Sequence, residues 1–134
     1  MSNPQHIQLA LEALAPAGRT FYEGQAPGTA SPPWLVGSLD MPRSILHFAS
    51  GSHGGVATWW VTAVGSTAAQ ARVIAHEAVL AWSGARISPT GYVVSALSHR
   101  YSNGPYAAGL NATDTNLRFQ VVRLGFDLTL SATA

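Results

Sequence analysis

The chain has 134 residues, the length of one domain, and area scaling has such a chain bury about two thirds of its surface on folding. Apolar residues make up 47% of it and charged residues 10%, against an average charged fraction of about 25%; spread over the folded surface, that is roughly one charge per 500 Å². This excludes a disordered chain, which pairs high charge with low hydrophobicity. A formal net charge of +1 argues against nucleic-acid binding through a basic patch.

With no cysteine, a disulfide frame, a thiolate metal site and a Cys nucleophile are all excluded. All seven basic residues are arginine, as in proteins from GC-rich genomes. No apolar run is long enough to span a bilayer, and the first 18 residues have neither a basic start nor an uninterrupted apolar stretch, so no signal peptide is expected.

The first element in chain order is a helix. Asn3 can cap it, Pro4 suits the first helical turn, and Ile7, Ala10, Leu11 and Leu14 share one face. The segment 15–18 stops it. Phe21 and Tyr22 are a short extended piece, followed by a Gly/Pro-rich connection over 23–33. Pro32 and Pro33 cannot sit in a central strand, so a strand from Trp34 to Leu39 is expected at a sheet margin. A turn over 40–43 would pair it in a hairpin with Ser44–Ala49, and 50–55 would form a tip.

Val56–Val64 is the clearest strand, β-branched and aromatic throughout. Trp60, Thr62 and Val64 lie on one face and Trp59, Val61 and Ala63 on the other, so both faces should contact protein. Thr67 and Gln70 have capping-box spacing ahead of a helix whose stripe is Ala71, Ile74, Ala75, Ala78, Val79 and Trp82. Gly84 is its expected left-handed cap.

Gly91–Tyr101 reads as one strand and 102–116 as a long polar loop, of a length that is usually functional; on this reading residues 103–114 can be shortened without loss of the fold. Leu117–Leu130 alternates over its whole length, with Val122, Leu124, Phe126, Leu128 and Leu130 on one face, and should pair with 91–101. The order predicts an α+β fold: an antiparallel or mixed sheet of about four to five strands, with two helices packed on one face, over a single domain 1–134.

Tests for chemistry fail one after another. His76-Glu77 begins a zinc-helix motif, but Leu80 stands where the second histidine is required. His47, His53 and His99 fall in different segments, so no metal site is expected. Gly51–Gly55 matches neither a nucleophile elbow nor a phosphate loop. No two acidic residues are close in sequence, and Asp40 and Asp114 read as turn residues. Neither a catalytic residue nor a cofactor is expected. Aromatic residues among few charges are the composition of interface cores, which makes Trp34, Tyr101, Asn103, Tyr106 and Asn111 the candidate contact residues for a partner.

The run Thr62-Ala63-Val64-Gly65-Ser66-Thr67-Ala68-Ala69-Gln70-Ala71-Arg72, continuing to Ala81-Trp82, resembles small tail terminator and tail-completion proteins of siphovirus-type tailed bacteriophages. Tyr22-Glu23-Gly24-Gln25-Ala26-Pro27, followed by Pro33-Trp34-Leu35-Val36, is similar to the opening strand region of that family, with Trp34 where the family more often has Tyr. The resemblance follows the element order over most of the chain and carries over no active site. It implies a virion protein assembled in the host cytoplasm, forming a ring, hexameric in the family, at the head-proximal end of the tail tube. Its implied partners are further copies of itself, the tail tube protein and a neck or head-completion protein; genomic DNA would pass through without tight binding, and no membrane is involved. Another neck connector or head-closure protein is the alternative, followed by a small enzyme using a His and an acid, and by a monomeric ligand-binding module.

Overall fold

The structure is a computed structural model and is described for residues 3–27, 31–41, 55–109 and 118–132. The elements are α1 (Pro4–Glu12), β1 (Phe21–Glu23), β2 (Trp34–Asp40), β3 (Gly55–Gly65), α2 (Ala68–Trp82), β4 (Tyr92–Val94), β5 (Ser98–Gly109) and β6 (Arg118–Ala132). The six strands form one mixed sheet, α+β in class as expected. Its order is β1–β2–β3–β6, with β4 and β5 following one another along the far edge of β6. Of these pairings, only that of β1 with β2 is parallel.

β3 and β6 pair along eleven residues, from Gly55 opposite Leu130 to Gly65 opposite Gln120. Both are rich in β-branched and aromatic residues, which suit a pleated, packed surface. One side of this pair and its neighbours is apolar and carries α1 and α2. Leu35, Trp59, Val61, Ala63, Leu124 and Phe126 are buried there against Ile7 and Leu11 of α1 and Ala71, Ile74, Ala78 and Trp82 of α2. The small Ala71, Ala75 and Ala78 bring α2 close to the sheet. Phe21, Trp59 and Trp82 meet ring to ring with centroids 5.8–6.2 Å apart.

The local signals act as anticipated in most places. Asn3 Oδ1 accepts from Gln5 N–H at 3.0 Å, and Pro4 opens α1. Thr67 Oγ1 accepts from Gln70 N–H at 3.1 Å. Gln70 reaches back one residue further than a capping box requires, accepting from Ser66 N–H at 2.7 Å. Gly84 has φ 74° just after α2, where a side chain would be strained.

Expectations for three stretches of the chain are corrected. β2 is not at a margin, because β1 pairs outside it in parallel, Phe21 opposite Leu35; Pro32 and Pro33 lie just before the strand and take no part in its ladder. The hairpin partner expected for β2, Ser44–Ala49, lies outside the described residues, as do His47, His53 and Asp114. Asp40 is the last residue of β2 rather than a turn residue.

The second correction concerns 91–101, which is two strands. Ser95 still bonds β6, its N–H donating to Thr129 O at 3.0 Å, but the regular ladder is interrupted there and Leu97 exchanges backbone bonds with the segment after α2 instead: Leu97 N–H donates to Ala85 O at 2.9 Å, and Gly84 N–H donates to Leu97 O at 2.7 Å. Leu97 is thereby buried.

Third, the polar segment from 102 is no loop as far as Gly109. It is the greater part of β5, paired to β6 from Ser98 opposite Asp127 to Gly109 opposite Arg118. Its polarity belongs to an outer strand whose side chains mostly meet solvent, not to a turn.

Candidate functional site

Both described helices sit on one side, so the other side of the sheet carries no helix among the described residues, and opposite residues in antiparallel strands share a face. Reading the register across β2, β3, β6 and β5 gives four rows on that side: Trp34, Val64, Val121, Tyr106; then Val36, Thr62, Arg123, Asn103; then Ser38, Trp60, Gly125, Tyr101; then Asp40, Thr58, Asp127, Ser98. Four of the five candidate contact residues, Trp34, Tyr101, Asn103 and Tyr106, therefore lie on this one face. Asn111 lies outside the described residues.

Two aromatic groups organise the face. At one end Trp34, Val64 and Val121 are buried as a small cluster with Tyr22, Val36 and Phe119 packed on it. Trp34 is only 7% exposed, its ring edge-on to Phe119 at 5.2 Å. It forms the floor of the face, while Tyr101 and Tyr106, each 42% exposed, stand up from it.

In the middle lies Trp60. Tyr101 meets its ring edge-on at 5.4 Å, and the Arg123 guanidinium lies over the ring at 4.4 Å, within range of a cation–π attraction. The two rings meet because residue 125 is glycine: a Cβ there would stand 2.8 Å from the Trp60 ring and 3.1 Å from Tyr101 Cβ. Trp60, Arg123 and Gly125 were not among the candidates drawn from the sequence. Alternation places Trp60 on this side, but only the register brings the other two to it.

Charge on the face is sparse and partly neutralised. Thr58 Oγ1 donates to Asp127 Oδ1 at 3.2 Å, and Arg100 stands 3.9 Å from Asp127 Oδ2.

Elsewhere the surface of the described residues offers little chemistry. A cavity of about 450 Å³ between the α1–β1 connection and α2 is lined by Pro16, Ala17, Arg19, Glu77 and Leu80. Arg19 donates to Glu77 through two bonds, Nε to Oε1 at 2.6 Å and Nη2 to Oε2 at 2.8 Å. Those bonds hold the Glu77 carboxyl below the usual carboxylate range and raise Arg19. His99 leans on Phe126 at 5.1 Å and places Nε2 3.0 Å from Tyr101 O. Among the described residues no three His, Asp or Glu gather as a metal site would require. No helix among them is long and apolar enough to cross a membrane.

No family model matches the sequence, and no curated protein matches it. The fold is similar to that of a chain from the virion of a native gene transfer agent (GTA) particle, with a TM-score of 0.62 and 17% sequence identity over 96% of this chain and 91% of that one. The likeness therefore runs over nearly the whole of both chains.

Proposed function

We propose that this chain is a structural virion protein that forms a ring at the head-proximal end of a phage tail tube, ending tube growth and offering a docking surface to the neck. The observation that carries this reading is the fold shared, nearly end to end, with a chain of a phage-like particle. The reading is non-enzymatic. Its partners are other copies of the chain, the tail tube protein and a neck protein. DNA passes through the ring without being gripped, in keeping with only seven arginines and a formal net charge of +1.

The sheet face opposite α1 and α2 supports a contact role. It presents Tyr101, Tyr106 and Asn103 above a floor of Trp34 and Trp60, the composition of an interface core. Tyr and Trp supply large contact area at low entropic cost, and few charges need to be desolvated. This face is proposed as the surface that meets another virion protein.

Sizing with light scattering, together with negative-stain images of the protein alone and mixed with tail tubes, tests the reading. A ring, free or capping tube ends, is the expected result. A monomer that persists at high micromolar concentration and leaves tube ends bare overturns it. Location on the particle separates the tube-end reading from the alternative, a head-closure protein nearer the portal.

A further inference from the structure

With Arg19 and Glu77 paired, the charges that the described strands and α2 still present are sorted across the sheet. β1 and β2 carry Glu23 and Asp40, both exposed, and no basic residue. The opposite side carries Arg72 on α2 and Arg100 on β5, both exposed, while Arg123 of β6 lies over the Trp60 ring in the middle of the aromatic face. On β5 and β6 the one acid is Asp127, already met by Thr58 and Arg100. β3, between the two sides, has no charged residue. In a chain with only seven basic and six acidic residues, this gives the sheet an acidic edge and a basic edge.

The basic edge also has a recess. Between α2 and β5 lies a cleft of about 260 Å³, lined by Arg72, His76, Val79, Ser102, Pro105 and Leu124 among others. Arg72 and His76 are one helical turn apart and so share a face of α2. Neither has a hydrogen bond or ion pair to a described residue, although His76 lies close enough to Glu77 to act on its carboxylate. An arginine and a histidine at the mouth and an apolar floor suit a carboxylate carried on a strand.

We propose that the acidic edge of one copy docks on the basic edge of the next, with Glu23 directed to the Arg72–His76 cleft and Asp40 to the neighbourhood of Arg100. The occupant is a second copy of this chain, and the contact rests on the ring reading given above. Two different edges meeting head to tail make a heterologous contact, which closes into a ring when the rotation allows. The aromatic face stays free for a different partner.

A charge swap tests this. Glu23→Arg alone opposes two arginines, and Arg72→Glu alone opposes two glutamates. Each variant should fold as the wild type does, since both side chains are exposed, and each should associate at least about tenfold more weakly, because like charges set against each other are strongly disfavoured. An equimolar mixture should assemble again: every contact in an alternating ring then either sets the introduced arginine against the introduced glutamate or keeps the native pair. In the cysteine-free chain, Glu23→Cys combined with Arg72→Cys should also give disulfide-linked ladders under oxidation, up to the ring number. If the wild type forms rings and the single variants do so equally well, or the mixture stays apart, the edge assignment is wrong and the ring reading stands. If the wild type never associates, alone or on tube ends, both fall.

Discussion

Trp60 and Tyr101 meet edge to face at 5.4 Å over Gly125, in the middle of the sheet face opposite the one that carries α1 and α2. Their contact explains why a glycine stands in the middle of β6, and it holds Tyr101 upright at the surface. Gly125→Ala should force the rings apart at a cost of about 1–3 kcal/mol, with altered near-ultraviolet circular dichroism and an unchanged far-ultraviolet spectrum. Tyr101→Ala should cost less than about 1.5 kcal/mol in stability yet weaken binding to tube or neck protein in pull-down or sizing experiments. Unchanged binding by Tyr101→Ala would remove this residue from the contact face.

Arg19 and Glu77 join the α1–β1 connection to α2, each side chain about one third exposed or less. The Arg19 bonds lower the Glu77 pKa, so the folded state binds this proton less readily than the unfolded chain does. The pair's contribution is therefore full above the ordinary carboxylate pKa of about 4.3 and is lost as the pH falls through the lowered value. After discounting for solvent screening, it is about 1 kcal/mol at neutral pH. Glu77→Gln should lower Tm by about 4 °C at pH 7, and the gap to the wild type should close toward the acid limit. A gap that stays constant with pH would show that the ion pair is not its source.

The Trp82 indole N–H donates to Leu11 O at 2.9 Å in the buried core. That carbonyl stands in the last turn of α1, beyond the reach of the regular helical ladder, and it also accepts from Leu14 N–H at 3.1 Å. The indole bond ties the two helices together. Trp82→Phe keeps an aromatic ring but removes this tie. A loss of about 1 kcal/mol is expected in denaturant unfolding, with Trp82→Ala losing about 3–5 kcal/mol. Equal stability of Trp82→Phe and the wild type would mean that the bond does not hold α1 in place.

Deleting 103–109 should abolish cooperative unfolding, because these residues pair with β6 from Arg118 to Arg123 and flank the buried Val122. Thermal melts and hydrogen exchange on the deletion variant check this. A deletion variant with a sharp wild-type transition would return the segment to the status of a loop.

Much of the architecture was legible because local chemistry and periodicity act within a few residues. The cap at Asn3, the start of α2 at Thr67, its end before Gly84, the two faces of β3 and the buried stripe of β6 all follow from patterns of that range. Long-range pairing was not legible in this way. A polar run such as Ser102–Gly109 has the composition of a loop, and only its hydrogen bonds to β6 make it a strand. β1 is three residues long, too short to show a period, and its parallel place outside β2 depends on the path of the intervening chain.

The candidate contact residues divide in the same way. Composition alone marked Tyr101, Asn103, Tyr106 and Trp34, since aromatics among few charges point to contact. It could not place them together. In an unbroken strand Tyr101 and Tyr106, five residues apart, would point to opposite faces. The register of β5 shifts between His99 and Tyr101 and again between Asn103 and Tyr106. Each irregularity inserts one residue and reverses the alternation, and the second turns Tyr106 to the side that Tyr101 and Asn103 already occupy. The sequence by itself determined the α+β class, the helix limits and a charge-poor, aromatic composition, because these depend on residue type and local spacing. The tertiary structure alone decided that the aromatics share one face, opposite α1 and α2, and that Glu23 and Asp40 lie across the sheet from Arg72 and Arg100, because both depend on which strands pair and in what register.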